Sequence, residues 1–412
     1  MLVSIVMPSF NQADFIEAAI RSVFNQKIQS LELIIMDGAS TDSTLVILKK
    51  LKKEFTNQLF WFSATDSGPA AAINKALKKA RGQIIGWLNS DDLYSSNAIH
   101  NALDAFKKNP QWILLYGEGK HINEQSAFIN QYPTKNPKNR LKAFQLGCYI
   151  CQPTVFFKRT ILKNVGFLNQ ELKVAFDFDY WLRIFKVYPQ NIGYINKIQA
   201  YSRLHSACIT QNQRQKVALE AMQVLFHQLG DVKIHWLLNY FEEIYQDYPF
   251  ITPTKELQPH FIETIEKAIQ FLQYSDLIKL FEQLHKDKRW QITLPQVFID
   301  IYPDGWAKPT LQIKIRHTNK NQGYLILYCE HAAPLTTALT LDISTSWQLN
   351  KQQIVEKKGI FYIFLKFPDY SKCRKLTVTI KTHPYFKGNA IDKNNLDQRQ
   401  LTFIVNKMTQ ID

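Results

Sequence analysis

The sequence predicts an α/β domain with a mostly parallel central sheet, followed by a helical segment and a C-terminal antiparallel β-sandwich. Three observations carry this. About the first 110 of the 412 residues alternate short apolar runs with helical patterns. Residues from Gln211 to about Gln291 keep a helical period. After about residue 300 short β-rich runs follow one another between turn-forming residues.

The first strand is LVSIVMPSF. From Asp14 onward, Ile16, Ile20, Val23 and Phe24 recur at helical spacing. LELIIMD is the second strand and ends in GASTDST, a turn with helix N-cap chemistry. A Lys-rich helix leads to the strand LFWFSA, then the DSG turn and a helix from about Pro69 to Arg81. Gly82 ends that helix, and QIIGWLN is the fourth strand. Strands joined by helices of this length make right-handed crossovers and a parallel sheet. Such sheets bind ligands beyond the carboxyl ends of their strands. Ser9 and Asn11, Asp37, Asp66, and Asp91 with Asp92 each follow a strand end, so four successive strands deliver polar groups to one edge.

The stretch 111–209 mixes shorter strands with loops. Beyond it, Ile262, Ile265, Ile269 and Leu272 form one apolar stripe, and Leu277, Leu280, Phe281 and Leu284 another. They read as helix-packing faces, punctuated by Pro249, Pro253 and Pro259. LQIKIRH, YLILYCE, ALTLDIS, IFYIFLKF, KLTVTIK and LTFIVNK are the sandwich strands. The expected domains are therefore 1–209, 210–298 and 299–412.

The net charge is +15, and the first half carries most of it: residues 1–209 hold 25 Lys and Arg against 15 Asp and Glu. That excess suits phosphorylated ligands, nucleic acid or an acidic membrane surface. Nucleic acid is disfavoured, because no zinc finger or RNP motif is present and an Asp-rich strand edge repels phosphates unless a metal intervenes. MLVSIVMP lacks a basic leader, and no run approaches the ~20 apolar residues of a membrane span. A cytoplasmic protein is expected, with room for peripheral contact at the inner face of the cell membrane and for a homo-oligomer. Five cysteines in a reducing compartment read as buried thiols. Cys148 and Cys151 with His205 and Cys208 are too widely separated to favour a zinc set.

Two adjacent carboxylates at a strand end suit a divalent cation, Mn²⁺ or Mg²⁺, whose shell substrate phosphates complete. Taken alone, Asp91–Asp92 reads equally as a helix N-cap. Asp37 can accept from a base N–H or a ribose hydroxyl, Ser9 and the turn after Pro8 add polar contacts, and Asn74 with Lys75 offer donors near the same edge. There is no Walker loop and no G-x-G-x-x-G, so a nucleotide would be held by carboxylates and metal.

The runs VSIVMPSFNQ, LIIMDGASTDST and SATDSGPAAAINKALKKARGQIIGWLNSDD, in this order, resemble the front half of a family 2 glycosyltransferase. QPTVFFKRTILKNVGFLNQEL, AFDFDYWLRIFK and AYSRLHS resemble its acceptor-side segment, so the likeness covers about residues 1–209. It implies a GT-A fold and an inverting, metal-dependent, hexosyltransferase-like enzyme. The donor would be a nucleotide sugar, commonly a UDP-sugar, and the acceptor a glycan or lipid-linked hydroxyl in bacterial surface polysaccharide synthesis. By this resemblance Pro8, Ser9, Asn11 and Asp37 hold the nucleoside, Asp66 lies beside it, and Asn74 and Lys75 face the donor. Asp91 and Asp92 match the metal-binding motif, with Asp92 the favoured ligand, and His205 completes the metal shell or meets the diphosphate. Asp177 matches the general base.

Some positions depart from the pattern. Phe176 stands where an acidic residue is common, Ala71 where relatives often have Asp, and Ala76 where they often have Gly. Asp179 is a rival base, since in an extended segment it shares a side with Asp177. Arg183 steadies either a carboxylate or a phosphate, or forms a surface salt bridge. Trp61, Trp87 and Trp181 read as core before sugar platforms. The C-terminal half resembles appendages on some surface-polysaccharide transferases, with Asp397–Leu401 (D-x-R-x-L) part of that likeness. The competing reading is a catalytically inactive sugar-nucleotide or glycan-binding protein.

Overall fold

The computed structural model describes residues 1–136, 139–247 and 257–273, and from 276 to 411 the strands named below with residues 276, 279–280, 283–284, 307 and 338. It divides into two compact units, Met1–Ile244 and Tyr245–Asp412.

The first unit opens with β1 (Val3–Ser9), α1 (Ile16–Phe24), β2 (Leu31–Asp37), α2 (Thr44–Glu54), β3 (Leu59–Ser63), α3 (Pro69–Lys79) and β4 (Ile84–Trp87). β1 and β2 are buried at every position. Both faces of a parallel sheet are covered, so its inner strands read as unbroken apolar runs rather than alternating ones. β5 (Leu93–Tyr94), α4 (Ala98–Lys108), β6 (Leu114–Ile122) and β7 (Phe128–Gln131) follow. Then come α5 (Arg140–Ala143), β8 (Phe156–Lys158), α6 (Ile161–Asn164), α7 (Phe176–Val187), β9 (Ile192–Arg203), α8 (Ile209–Asn212), α9 (Arg214–Leu229) and α10 (His235–Asp247).

The sheet order is β3-β2-β1-β4-β8-β6-β9-β5, with β7 paired to β6. β3, β2, β1, β4, β6 and β9 run one way, and β8, β5 and β7 oppose them. The expected mostly parallel sheet is thus present, and the mixed stretch 111–209 supplies its second half. One core cluster joins Ile5, Met7, Ile20, Val23, Leu33, Ile35 and Leu48 to Ile99, Leu115 and Phe156. Gly86 has no room for a side chain: a Cβ there would stand 2.5 Å from the Tyr94 hydroxyl and 2.7 Å from Ile5 Cδ1.

Register brings the strand ends into a row. Ser9 pairs with Asp37, and Asp37 with Ser63. α9 and the start of α10 belong to this first unit.

In the second unit, α11 (Leu257–Ala268) takes Pro259 in its first turn, where the missing N–H is harmless. The strands are β10 (Val297–Ile299), β11 (Thr310–Arg316), β12 (Tyr324–His331), β13 (Leu339–Thr345), β14 (Asn350–Val355), β15 (Gly359–Lys366), β16 (Lys375–His383), β17 (Phe386–Lys387), β18 (Gln400–Leu401) and β19 (Ile404–Ile411). They form antiparallel sheets β10-β11-β16-β13-β14 and β15-β12-β19, plus the pair β17-β18. Leu311, Ile313, Leu341, Ile343 and Ile380 of one sheet and Leu327, Ile363 and Leu365 of the other share a core, as in a sandwich. Pro249, Pro253, Leu277, Phe281 and Asp397–Arg399 lie outside the described residues.

Candidate active site

The edge at the carboxyl ends of β1–β4 gathers most of the expected residues. Asp37 is 2% exposed. Its carboxylate accepts from Ser40 N (2.9 Å), Ser40 Oγ (2.5 Å) and Ser63 Oγ (2.7 Å), which fixes its orientation at the end of β2. Beside it, the buried Ser9 Oγ has no hydrogen-bond partner among the described residues. Pro8 is buried in β1. Asn11 adopts a positive φ of 51°. Its Oδ1 accepts from Thr41 N (2.8 Å) and its N–H donates to Ser40 Oγ (2.8 Å), so it stitches the loop after β1 to the loop after β2.

Phe10 was missed in the sequence. It is 58% exposed, and its ring lies against Gly38, where an added Cβ would come within 3.3 Å of Phe10 Cδ2. An exposed ring at this edge offers a flat apolar face next to the Asp37 loop. The visible signal was an aromatic directly after a strand end.

Asp66 Oδ1 accepts from Gly68 N (2.9 Å) and so shapes the turn into α3. Its Oδ2 is 3.6 Å from where a Gly38 Cβ would stand, which places it near Asp37. Asn74 departs from expectation. It is 3% exposed, and its amide donates to Leu168 O (2.9 Å) and accepts from Leu168 N (3.0 Å). Both ends of the amide are spent on a loop 94 residues away in sequence, so it braces α3 rather than facing a donor. Lys75 is exposed.

The turn after β4 separates its two carboxylates. Asp91 Oδ2 lies 3.1 Å from His205 Nε2, and the Asp91 side chain keeps 19% exposure. Asp92 is 3% exposed; its Oδ1 accepts from Arg203 N (2.9 Å) and its Oδ2 from Asn89 Nδ2 (3.3 Å). Burial and the adjacent Asp91 push the Asp92 carboxyl well above the usual carboxylate range. Asp92 is the favoured metal ligand by sequence; in this structure Asp91 faces His205, and Asp92 ties the turn to β9.

Arg203, which sequence reasoning passed over, clamps this corner. Its Nε donates to Asp91 O (2.8 Å) and its Nη1 to Asn123 O (2.7 Å), Glu124 O (2.9 Å) and Ser126 Oγ (3.0 Å). The Phe15 ring lies 4.8 Å from the His205 ring and 4.9 Å from Arg203 Cζ, which holds both in place. Gln152, also missed, donates to Trp87 O (2.8 Å) and accepts from Asn89 Nδ2 (3.0 Å), while Trp87 Nε1 donates to Asn89 Oδ1 (2.9 Å).

A carboxylate oxygen and an imidazole nitrogen are both donors that Mn²⁺ or Mg²⁺ accepts, and here they contact each other directly at 3.1 Å. Among the described residues no group of three or more His, Cys, Asp and Glu side chains that could hold a metal ion is present.

Asp177 sits in the first turn of α7. Because this segment is helical, Asp177 and Asp179 lie about 200° apart around the helix and not on one side. Asp179 is spent on structure: it pairs with Arg183 Nε (2.8 Å) and accepts from Gln228 Nε2 (3.1 Å). Arg183 also donates to Val165 O and Phe167 O (both 2.8 Å), so it steadies a carboxylate and a loop. Asp177 Oδ1 accepts from Phe178 N (2.7 Å), and burial raises its carboxyl to about 6. A carboxylate tuned upward in this way suits proton abstraction near neutral pH. Cys148 and Tyr132 lie within its electrostatic reach. α7 reaches the turn after β4 through Trp87, whose ring is 5.9 Å from Phe176 and 6.1 Å from Trp181. Trp87 and Trp181 are buried core, and Trp61 packs partly buried against the main cluster.

Comparisons with known proteins identify the family. The profile described as "Glycosyl transferase family 2" matches residues 4–166. The chain is 32% identical over 252 residues to the Escherichia coli "UDP-Glc:alpha-D-GlcNAc-diphosphoundecaprenol beta-1,3-glucosyltransferase WfgD", covering 58% of this chain and 92% of that protein. It is 28% identical over 242 residues to an uncharacterised glycosyltransferase of Haemophilus influenzae, covering 58% of this chain and 94% of that one. Against an uncharacterised glycosyltransferase of Rickettsia conorii it is 27% identical over 216 residues, half of this chain, and spans only 34% of that relative's length. The crystal structure of Staphylococcus aureus TarS 1–349 is similar at a TM-score of 0.46 and 21% identity, covering 66% of this chain and 81% of that one. With its mostly parallel sheet carrying strand-end carboxylates and a 32% match across nearly all of a glucosyltransferase, the chain belongs to glycosyl transferase family 2, in the GT-A fold.

Proposed function

We propose that the protein transfers a sugar from a UDP-sugar to a hydroxyl of a glycan or lipid-linked acceptor with inversion, in the synthesis of a bacterial surface polysaccharide. The observation that carries this reading is the Asp91–His205 pair, 3.1 Å apart, at the same sheet edge as the fixed Asp37 carboxylate. Two relatives support the pathway class: WfgD, by its printed name a UDP-Glc glucosyltransferase acting on a diphosphoundecaprenol-linked sugar, and an Escherichia coli chondroitin synthase, 30% identical over 206 residues. A lipid-linked acceptor would bring the protein to the inner face of the cell membrane.

In this reading Asp37, Ser9 and the Phe10 ring hold the nucleoside, and Asp66 supports the turn beside it. Asp91 and His205 would hold a divalent cation, Mn²⁺ or Mg²⁺, which when bound offsets the charge on the leaving diphosphate. Asp177 takes the proton from the acceptor hydroxyl as its oxygen approaches the anomeric carbon on the face opposite the diphosphate. Trp87 and Phe176 fix the spacing between α7 and the turn after β4, which orients base and donor.

The test is a donor panel: UDP-glucose, UDP-galactose, UDP-N-acetylglucosamine and GDP-mannose with Mn²⁺ or Mg²⁺, read as nucleoside diphosphate release. Release from a UDP-sugar supports the reading. Binding of UDP with no turnover of any donor across a range of glycan acceptors would favour the inactive binder instead.

A further inference from the structure

The helix that carries Asp177 has no cap of its own. Its N-cap is Ala175, which supplies no side-chain hydrogen bond, although a helix start leaves several N–H groups without partners. The segment that enters the helix is held instead from α9. Glu220 Oε2 accepts from Lys173 N (3.0 Å), Val174 N (2.8 Å) and Ala175 N (3.1 Å), and Oε1 lies 3.1 Å from Lys173 N. Two turns further along α9, Gln228 Nε2 donates to Asp179 Oδ1 (3.1 Å), and Lys186 Nζ donates to Gln228 O (2.9 Å). α9 thus grips α7 from before its first turn to near its end.

A charged acceptor on three consecutive N–H groups is stronger than a neutral cap and complements the helix dipole. Asp177 itself accepts from the backbone N–H of Phe178, so the first turn of α7 sets where its carboxylate points. Both α7 and α9 lie beyond residues 4–166, the part that matches the family profile.

We infer that Glu220 is a positioning residue for the transfer reaction: by anchoring the segment 173–175 that leads into α7 it fixes the aim of Asp177. The inference rests on the reading of Asp177 as the base. Glu220 acts through the backbone and touches no reacting atom.

The test compares Glu220→Ala and Glu220→Gln in the full chain. Hydrogen exchange reads the amides of 173–175, calorimetry reads UDP affinity, and turnover is read on the donor that the native protein uses. Glu220→Ala is expected to expose those amides and lower kcat about 10- to 100-fold, as a misaimed base does. UDP affinity and donor KM should stay within about twofold, the pattern of a lost transition-state contact. Glu220→Gln, which keeps an oxygen acceptor, should recover most of kcat. Unchanged exchange at 173–175 overturns the inference, as does native kcat with those amides exposed, or a kcat loss matched by loss of UDP binding. An Asp177→Asn variant with native turnover removes the base reading itself, a failure that does not involve Glu220 and is recognisable as such.

Discussion

Asp91 Oδ2 and His205 Nε2 face each other at 3.1 Å, although 114 residues of chain separate them. β5 pairs with β9, and the turn just before β5 therefore meets the residues just after β9. If this pair holds the cation, Asp91→Asn and His205→Ala should each weaken Mn²⁺-dependent UDP binding by about 10- to 100-fold, the scale of losing one ligand-shell contact. Titration calorimetry with and without Mn²⁺ measures it; native metal dependence in both variants rules the pair out.

Asp92 should behave differently. Its removal leaves the buried Arg203 N–H without its acceptor and takes one of two acceptors from Asn89 Nδ2. Asp92→Ala is expected to cost about 2–4 kcal/mol of stability, read by urea denaturation.

Asn74 is a brace in this structure. Asn74→Ala should destabilise the fold by about 1–3 kcal/mol, since both Leu168 backbone groups lose their partner. Donor KM should be unaffected. A raised KM at native stability would restore a donor-facing role.

Asp177 predicts two opposite pH effects. Its carboxyl is raised from 3.8 to about 6 in the folded state. The base must be ionised, so kcat/KM should climb with pH and level off above about 6. Stability runs the other way: the folded state retains the proton better than the unfolded one, so this group's contribution is complete below about 4 and is lost as pH rises through about 6. Asp177→Asn should therefore be inactive yet more stable than native at pH 7 by at most about 3 kcal/mol. Thermal melts at pH 4 and pH 7 check the sign: the gain should appear only at pH 7.

The parallel strands were legible because an inner strand of such a sheet must be apolar throughout, as VSIVMPS and LELIIMD are. Their strand-end polar residues followed from topology. What the sequence hid depends on distant partners. Nothing local marks Asn74 as bonded to Leu168, or Asp92 as bonded to Arg203, so a binding role and a bracing role look alike at residue level. Asp177 and Asp179 were separable only once the segment was known to be helical. Glu220 was invisible for the same reason: an anchor supplied from another helix leaves no pattern beside the helix it serves.

The most direct test of the account is sugar-donor turnover by native protein and Asp177→Asn, with UDP binding measured on both. The account predicts release of UDP from a UDP-sugar by the native protein, a loss of at least about 100-fold in the variant, and unchanged UDP affinity. Native turnover by Asp177→Asn would contradict it.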